Sequence, residues 1–203
     1  MYPSFQEVID RLSVVEAPVE PLPSKRAAVA ISVRSGVSGP EILMIQRAVR
    51  QGDPWSGHMG FPGGRKDESD ASDMACAKRE TREEIGFDLD IYGELVCQLS
   101  DVNTGWRADR PEMLVAPFVF EVGSRPVFEL NHEVDDTLWV PLSFLLNDAN
   151  RSRHQWDWRG EVLESDAFTF DDRLIWGLSL MMIDELLQII ADRENALAPV
   201  SRA

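Results

Sequence analysis

The chain has 203 residues, a length typical of one domain with a sizeable hydrophobic core. Hydrophobic residues make up 44% of the sequence and charged residues 27%, which is typical of a folded soluble protein and excludes a disordered or membrane-embedded chain. The net charge of -15 disfavours a surface that binds long nucleic acids through many phosphate contacts. A small anionic ligand remains compatible with this charge if a divalent cation reverses the local electrostatic field.

The first 24 residues predict a short helix and a connector that precede the main domain. Ser4 is followed three residues later by Glu7, which is a capping-box pattern. Apolar residues then recur at helical spacing, namely Phe5, Val8, Ile9 and Leu12. Prolines at positions 18, 21 and 23 favour an extended connector, since each one fixes φ and removes a backbone donor. The domain is therefore expected to cover residues 25–195, with 196–203 as a tail.

The first half of this domain predicts a hairpin, a loop and a helix. Apolar, β-favouring runs at 27–34 and 41–47 flank a turn-rich segment at 36–40, a pattern typical of a hairpin. A glycine-rich loop at 57–64 then leads to a helix at about 72–86.

The second half predicts strands at 91–99, 113–122 and 136–140, followed by a packed helix from Asp172 to about Arg193. The apolar positions of that helix are Leu174, Leu178, Met181, Met182, Leu186 and Ile189. Strands and helices mix without strict alternation. This order indicates an α+β or α/β sandwich with a mixed sheet.

Three glutamates on the predicted helix are candidates for metal binding. Glu80, Glu83 and Glu84 are related by i+3 and i+4, so they lie on one stripe of a helix. A neighbouring stripe faces the core and consists of Met74, Ala77, Thr81 and Ile85. Clustered carboxylates repel each other unless a cation offsets the repulsion, and Mg²⁺ prefers oxygen ligands.

The backbone carbonyl of Gly63 or Gly64 could complete such a metal site, because glycine permits close backbone approach. The alternative is a solvated helix face, on which basic residues neutralise the glutamates by surface ion pairs. These basic residues are Lys78, Arg79 and Arg82. The spacing alone leaves both interpretations open.

Residues 61–87 resemble the Nudix box. In that motif, glycine is followed after five residues by glutamate, and seven residues later by Arg-Glu-apolar-any-Glu-Glu-any-Gly-apolar. Arg79 to Phe87 matches each fixed position of the second half, with Thr81 in the place where an aliphatic residue is commoner. The first half departs from the motif, because five residues after Gly64 comes Asp70, and Arg79 follows eight residues later. Asp70 therefore stays outside the predicted site.

Within the Nudix superfamily, the sequence resembles the coenzyme A pyrophosphatase branch over about residues 27–190. That branch also has an FPGG turn and an RET-x-EE helix, and it continues with motifs similar to 131–134, 138–142 and 175–177 here. One departure is Trp55, which occupies the place of a histidine that usually precedes the FPGG turn.

The resemblance implies a Nudix fold, an α/β/α sandwich with a mixed β-sheet between helices, and a requirement for Mg²⁺ or Mn²⁺. By the family pattern, Glu83 and Glu84 are the principal metal ligands, Glu80 is a further ligand or base, and the Gly63 carbonyl completes the near side. Glu133 matches a downstream glutamate that binds metal or activates water in some Nudix enzymes; an exposed loop acid is the alternative. Arg79 is expected to pair with a glutamate of the box and to hold helix and loop in register.

Basic and aromatic residues near the motif are candidates for substrate binding. Arg47 at a strand end and Arg65 after the glycines can bind phosphate through their guanidinium groups, with ordinary surface arginines as the alternative. Trp106 and Arg107 can stack on a base and contact a phosphate. Their loop is alternatively a lid or a contact in a homodimer. His58 is interpreted as a packing or loop residue.

The function predicted from these features is metal-assisted hydrolysis of a diphosphate bond in a small-molecule nucleotide substrate. Coenzyme A is the leading candidate, and its products would be adenosine 3',5'-bisphosphate and phosphopantetheine. ADP-ribose, dinucleotides and nucleoside triphosphates are alternative substrates, and a nucleotide-binding sensor without turnover is an alternative of another class.

Cellular location and cysteine usage complete these expectations. The sequence shows no targeting signal or apolar run long enough to cross a membrane, which predicts a cytoplasmic protein without membrane contact. Cys76 and Cys97 are expected to be core thiols, because two cysteines without paired CxxC spacing form neither a disulfide framework nor a zinc site.

Overall fold

The structure is a computed structural model that describes residues 2–16, 25–50, 56–105, 112–123, 127–158 and 160–191. The helices within these ranges are α1 (Phe5–Leu12), α2 (Asp73–Ile85), α3 (Leu89–Tyr92), α4 (Leu142–Leu145) and α5 (Gly177–Ile190). The strands are β1 (Arg26–Gly36), β2 (Gly39–Arg47), β3 (Met59–Gly60), β4 (Gly63–Arg65), β5 (Gly93–Gln98), β6 (Val102–Asn103), β7 (Leu114–Val122), β8 (Val134–Pro141), β9 (Arg151–Trp158), β10 (Glu161–Phe170) and β11 (Arg173–Trp176).

The larger sheet is mixed, as the sequence predicts. Its strand order in the described ranges is β3-β2-β1-β7-β5, with β4 paired to β1, β6 to β7 and β8 to β2. Strand β1 runs parallel to β7, whereas its pairs with β2 and β4 are antiparallel. The predicted β1–β2 hairpin is confirmed, and Gly36 pairs with Gly39 at its turn.

Strand β1 is buried on both faces, which explains its continuous apolar sequence. Alternate residues of a strand point to opposite faces of the sheet. Ala28 and Ala30 accordingly pack with the core residues of α2, whereas Ile31 and Val33 pack with those of α1 and α5. Helices therefore cover both faces of the sheet, and the predicted α/β/α sandwich is confirmed.

Helix α1 is part of the hydrophobic core. Its predicted capping box is confirmed, since the Ser4 side chain accepts from the Glu7 N–H and the Glu7 carboxylate accepts from the Ser4 N–H. Val8 and Leu12 are fully buried. The Arg11 guanidinium donates to the Ile190 carbonyl, which links α1 to the end of α5.

A second, three-stranded sheet follows β8 and was not predicted from the sequence. Its order is β11-β10-β9, and all of its pairs are antiparallel. Charged side chains pair across it, as Arg153 does with Asp166 at 2.6 Å and with Glu164 at 3.2 Å. Most of the first half of β10 is exposed, so these strands lack the apolar alternation that identifies a half-buried strand.

Two predicted element boundaries are wrong. Asp172 does not begin the terminal helix, because Asp171 and Asp172 form a turn with positive φ and Arg173–Trp176 pairs with β10 as a strand. The helix begins at Gly177 instead. The predicted strand 91–99 begins two residues later, at Gly93, because Asp88 caps the short helix α3 ahead of it. Strand pairing with β10 therefore overrides the helical pattern after Asp172, whereas the local cap of α3 delays the start of β5.

The small sheet contacts the loop that precedes β3. The Trp176 ring lies 5.3 Å from the His58 ring, 4.8 Å from the His154 ring and 5.3 Å from the Trp156 ring, measured between centroids. This contact confirms the interpretation of His58 as a packing residue. Trp176 therefore joins the end of β11 to the loop that enters the glycine-rich turn.

The cysteines are buried and free, as predicted. Burial raises the pKa of both thiols to about 12, so both are protonated at neutral pH. In the part of the chain that the structure describes, no helix combines the length and the apolar composition that a membrane span requires.

Replacement of Leu12 by alanine tests whether α1 stabilises the domain. Leu12 is fully buried, so Leu12→Ala is expected to lower the free energy of unfolding by about 2–4 kcal/mol through lost burial and a residual cavity. Urea denaturation measures this change. Val14 is 78% exposed, and Val14→Ala is the matched control with an expected change below about 0.5 kcal/mol. Equal stability of the two variants would show that α1 contributes nothing to the core.

Candidate active site

Helix α2 has a defined start and end. The Ser72 side chain accepts a hydrogen bond from the Ala75 N–H at 3.0 Å and caps the first turn. Gly86 ends the helix in the left-handed conformation with φ of 67°, and its N–H donates to the Arg82 carbonyl. These caps fix which residues face the sheet.

The predicted core-facing stripe of α2 is confirmed. Ala77, Thr81 and Ile85 are buried, and Met74 packs partly against the same cluster. The Thr81 hydroxyl donates to the Ala77 carbonyl at 2.7 Å, so its burial leaves no unsatisfied donor. This explains how a polar residue replaces the usual aliphatic at this position.

Glu84 is a buried carboxylate at the interface between α2 and β4. The residue is 3% exposed, and its Oε2 accepts a hydrogen bond from the Gly63 N–H at 2.9 Å. Burial raises the pKa of Glu84 to about 7, although the Gly63 hydrogen bond lowers it. The nearby charges of Glu80 and Glu133 raise it further, and Arg47 lowers it. The site therefore holds a carboxylate that lacks full compensation of its charge.

The two glycines of β4 are required by their neighbours. Gly63 pairs with Val29 of β1, and a Cβ on Gly63 would lie 2.3 Å from the Ala28 carbonyl oxygen. A Cβ on Gly64 would lie 2.6 Å from the carboxyl carbon of Glu80. The Gly64 carbonyl accepts from the Cys76 thiol at 3.5 Å, which leaves the Gly63 carbonyl as the better candidate metal ligand.

Glu80 and Glu83 share one partner but differ in exposure. Arg79 donates from Nη1 to Glu80 Oε1 at 2.9 Å and to Glu83 Oε2 at 3.3 Å. Burial is the main cause that raises the pKa of Glu80, whereas the Glu83 side chain is 55% exposed. Along the predicted stripe, Glu84 is therefore buried, Glu80 is partly buried and Glu83 is solvated.

Asp70 anchors Arg79. The guanidinium makes two parallel hydrogen bonds of 2.9 Å to the Asp70 carboxylate, and it also donates to the Arg65 carbonyl at 3.3 Å. The predicted pairing of Arg79 with a glutamate of the helix is confirmed, and Asp70 adds the link to the loop. The side-chain hydrogen bonds from Arg79 hold the pKa of Asp70 at about 2. The shifted spacing of the first half of the motif thus still places a carboxylate opposite Arg79.

Glu133 lies beside the helix glutamates although it is distant in sequence. Its charge contributes to the raised pKa values of both Glu80 and Glu84. Its loop is bound to the end of α2, because the Asn131 N–H donates to the Glu84 carbonyl at 2.9 Å. The Asn131 side chain in turn accepts from the Glu133 N–H at 2.7 Å. Sequence reasoning did not assign this role to Asn131, and the local Asn-x-Glu spacing was its only signal.

The predicted phosphate-binding arginines occupy different positions. Arg47 is half-buried at the end of β2, where the ladder with β8 shifts register, and its charge lowers the pKa of Glu84. The Arg65 side chain is exposed at the end of β4. The charge of Arg47 therefore acts on Glu84. Trp106 and Arg107, like Trp55, lie outside the described residues.

The donor set fits a hard divalent cation. The charge of Glu133 acts on Glu80 and Glu84, and carboxylate oxygens are ligands that Mg²⁺ and Mn²⁺ prefer. Across the described ranges, no group of three or more histidine, cysteine, aspartate or glutamate side chains is arranged to hold a metal ion by itself. Mg²⁺ commonly combines one or two protein carboxylates with waters and substrate phosphates, so its binding does not require three side-chain ligands.

The comparison with protein families agrees with this geometry. The model of the NUDIX domain matches residues 23–159, more than half of the chain. The chain belongs to the Nudix family. This match includes β1, α2, Glu133 and the whole of β9 in the small sheet.

Three relatives align with more than half of the chain. Nudix hydrolase 22, chloroplastic, of Arabidopsis thaliana is 30% identical over 190 residues, which cover 89% of this chain and 60% of that protein. Mitochondrial coenzyme A diphosphatase NUDT8 of Homo sapiens is 29% identical over 174 residues, 81% of this chain and 69% of that protein. An uncharacterized protein of Schizosaccharomyces pombe is 39% identical over 124 residues, 59% of this chain and 37% of its own length. The chain thus spans less than two thirds of two of these three relatives.

Solved structures support the Nudix fold. A MutT/nudix family protein from Enterococcus faecalis superposes with a TM-score of 0.55 and 19% identity, and it covers 95% of this chain and 72% of that one. At this identity the likeness concerns the fold alone.

Replacement of Asp70 tests the anchor of the Nudix helix. Asp70→Asn is expected to lower the free energy of unfolding at pH 7 by about 1–3 kcal/mol, because a nearly buried charge pair loses one partner. The folded pKa of about 2 lies below the ordinary value of 3.8. The stabilisation is therefore complete above about pH 4 and disappears as the pH falls through 2.

Urea denaturation of both proteins at pH 7, 4 and 2.5 measures this effect. Glu68 is an exposed acid of the same loop, so Glu68→Gln is the matched control and should behave like the unmodified protein. A stability difference between the Asp70 variant and the unmodified protein that stays constant over this pH range would contradict the assigned pair.

Gly64→Ala tests the close approach of β4 to Glu80. The new Cβ overlaps the Glu80 carboxylate, so we expect the side chain to move and Mn²⁺ affinity to fall by about tenfold or more. Isothermal titration calorimetry with Mn²⁺ measures the affinity. Nothing lies within 4 Å of a Cβ on Gly123, which makes Gly123→Ala a control that should bind Mn²⁺ normally. Unchanged Mn²⁺ affinity in the Gly64 variant would show that Glu80 does not bind the metal.

Proposed function

We propose that this protein is a divalent-metal-dependent hydrolase that cleaves a diphosphate bond in a nucleotide derivative. The observation that carries the proposal is the set of carboxylates between α2, β4 and the 129–134 loop, in which burial and then the neighbouring negative charges raise the pKa values of Glu80 and Glu84. Such a set costs free energy in the isolated protein and becomes favourable when a cation is present. Membership in the Nudix family supports the same reaction class.

Mg²⁺ or Mn²⁺ would be held by Glu80, Glu83 and Glu84 with the Gly63 carbonyl. Glu84 lies deepest and is already oriented by the Gly63 N–H. Glu83 is solvated and close to Arg79, so it would be the solvent-exposed ligand of the set. When bound, the cation neutralises charge on the diphosphate and favours attack by water.

Glu133 is the best-placed general base among the proposed catalytic residues Glu80, Glu83 and Glu133. Glu80 is bound by Arg79 at 2.9 Å and packs against Gly64, which restricts its movement. Glu133 is 39% exposed and approaches the cluster from a different loop. Its carboxylate accepts a proton as a water oxygen bonds to phosphorus and the bridging oxygen leaves with its phosphoryl group.

Arg47 would contact the substrate phosphates. Its guanidinium charge acts on the buried cluster, and its backbone is fixed by hydrogen bonds with His58 and Gly57 at 3.0 Å each. Arg65, Trp106 and Arg107 remain candidates on their sequence pattern, as a second phosphate contact and as a base-stacking pair.

Coenzyme A is the substrate we propose first. The FPGG turn, the RET-x-EE helix and the later motifs resemble the coenzyme A branch. A relative named as a coenzyme A diphosphatase aligns with 81% of the chain. Hydrolysis would give adenosine 3',5'-bisphosphate and phosphopantetheine. The names of two relatives place them in the chloroplast and the mitochondrion, so the cytoplasmic location stays a prediction from the sequence.

Turnover of a substrate panel tests this function. The panel contains coenzyme A, ADP-ribose, NADH and nucleoside triphosphates, each with Mg²⁺, Mn²⁺ or EDTA. We expect metal-dependent release of two phosphorylated products, with the highest kcat/KM for coenzyme A. Glu83→Gln and Glu84→Gln should each lower kcat by roughly 100-fold, comparable with the loss of one electrostatic group that acts on a transition state.

Glu68→Gln is the control, since it removes one acidic charge from the exposed loop before α2. Activity unchanged by Glu83→Gln and by Glu84→Gln would refute the ligand assignment. Nucleotide binding without turnover of any panel member would instead favour a sensor. Preference for another diphosphate would preserve the reaction class and reject coenzyme A.

A further inference from the structure

We propose that Arg50 is a positioning residue that holds Glu133 beside the carboxylates of α2. This inference rests on the proposed function, in which Glu133 accepts a proton. Arg50 Nη1 lies 3.6 Å from Glu133 Oε1, and Arg50 Nη2 donates to the His132 carbonyl at 3.1 Å. One guanidinium therefore contacts both the carboxylate and the backbone that carries it.

The backbone of Arg50 is held in place by Ser56. The Arg50 N–H donates to Ser56 Oγ at 2.6 Å, and the Ser56 hydroxyl donates to the Arg50 carbonyl at 2.8 Å. Two residues earlier, the Ala48 N–H donates to the Glu133 carbonyl at 2.8 Å. The end of β2 and the Glu133 loop are thus joined at two points.

An opposing force explains why such a joint is needed. Glu133 repels Glu80 and Glu84, as its contribution to their raised pKa values shows. A half-exposed glutamate under repulsion is expected to turn towards solvent, where water screens its charge. The Arg50 guanidinium, 3.6 Å from Glu133 Oε1, favours the position that the carboxylate has in the structure. An ordinary exposed ion pair stabilises a fold by little, so the main effect of Arg50 is expected on side-chain orientation.

Steady-state kinetics of Arg50→Met and Arg50→Lys test the inference with the best substrate of the panel. We expect Arg50→Met to lower kcat by about tenfold with KM changed less than about twofold. Arg50→Lys should recover part of this loss, because lysine keeps the charge but lacks the fork that contacts two groups. In a Glu133→Gln background, Arg50→Met should lower kcat by less than about twofold.

Two control variants separate this role from a general effect of charge. Arg153→Met removes an arginine that is also exposed and paired with acids, but in the small sheet. His132→Ala removes a second side chain near Glu133, because His132 Nε2 lies 3.9 Å from Glu133 Oε1. Both controls are expected to retain the kcat of the unmodified protein. A rise in KM alone in Arg50→Met would show that Arg50 binds substrate. An equal loss of kcat in the Glu133→Gln background would show that Arg50 acts independently of Glu133. Either result overturns the inference.

Crystal structures of the unmodified protein and of Arg50→Met give a measurement that does not depend on turnover. The Glu133 carboxylate should move away from Glu84 in the variant, while α2 and β4 stay in place. An unmoved carboxylate overturns the inference even if the panel shows no hydrolysis. Absence of turnover by the unmodified protein, with the carboxylate displaced in the variant, would instead reject the proposed function alone.

Discussion

The close packing of α2 against β4 is the constraint on which the site depends. Glu84 enters a buried interface because the Gly63 N–H offers it a hydrogen bond, and Glu80 fits because Gly64 has no side chain. Strand β4 can occupy this place only because it pairs with β1, the central strand that also carries β7. The sheet thus positions a glycine backbone, and the backbone positions the carboxylates.

The arrangement of charge follows from this packing. Burial of carboxylates costs free energy unless they are paired. Here the strongest pairing joins Arg79 to Asp70, which is not one of the clustered glutamates. Asp70 takes two of the hydrogen bonds that Arg79 donates, so this arginine compensates Glu80 and Glu83 only in part. Arg47 acts on Glu84 from the other side. The remaining uncompensated negative charge lies on Glu80 and Glu84, and we propose that a divalent cation and the substrate phosphates bind there.

Residues far apart in sequence reach the cluster through strand pairing. Strand β8 pairs with β2, and this pair brings the Glu133 loop next to Arg47 and Arg50. The shift of register at Arg47 lies at the same end of the pair. On the other side of β2, the small sheet contributes Trp176 to the packing of His58. His58, which directly precedes β3, therefore contacts both sheets through its carbonyl and its ring.

The sequence by itself determined the elements whose pattern is local. Glutamates at i+3 and i+4, an apolar stripe, Ser4 with Glu7 and the glycine turn all report their structure within a few residues, because helix and hairpin geometry repeats at short range. Resemblance to the Nudix box added the metal-ligand hypothesis that spacing left open.

Only the tertiary structure decided that Glu84 is buried while Glu83 is solvated, that Asp70 anchors Arg79, and that Arg50 meets Glu133. It also decided that Arg173–Trp176 is a strand. These outcomes depend on contacts between distant segments, and burial, charge compensation and strand pairing have no signal in local periodicity.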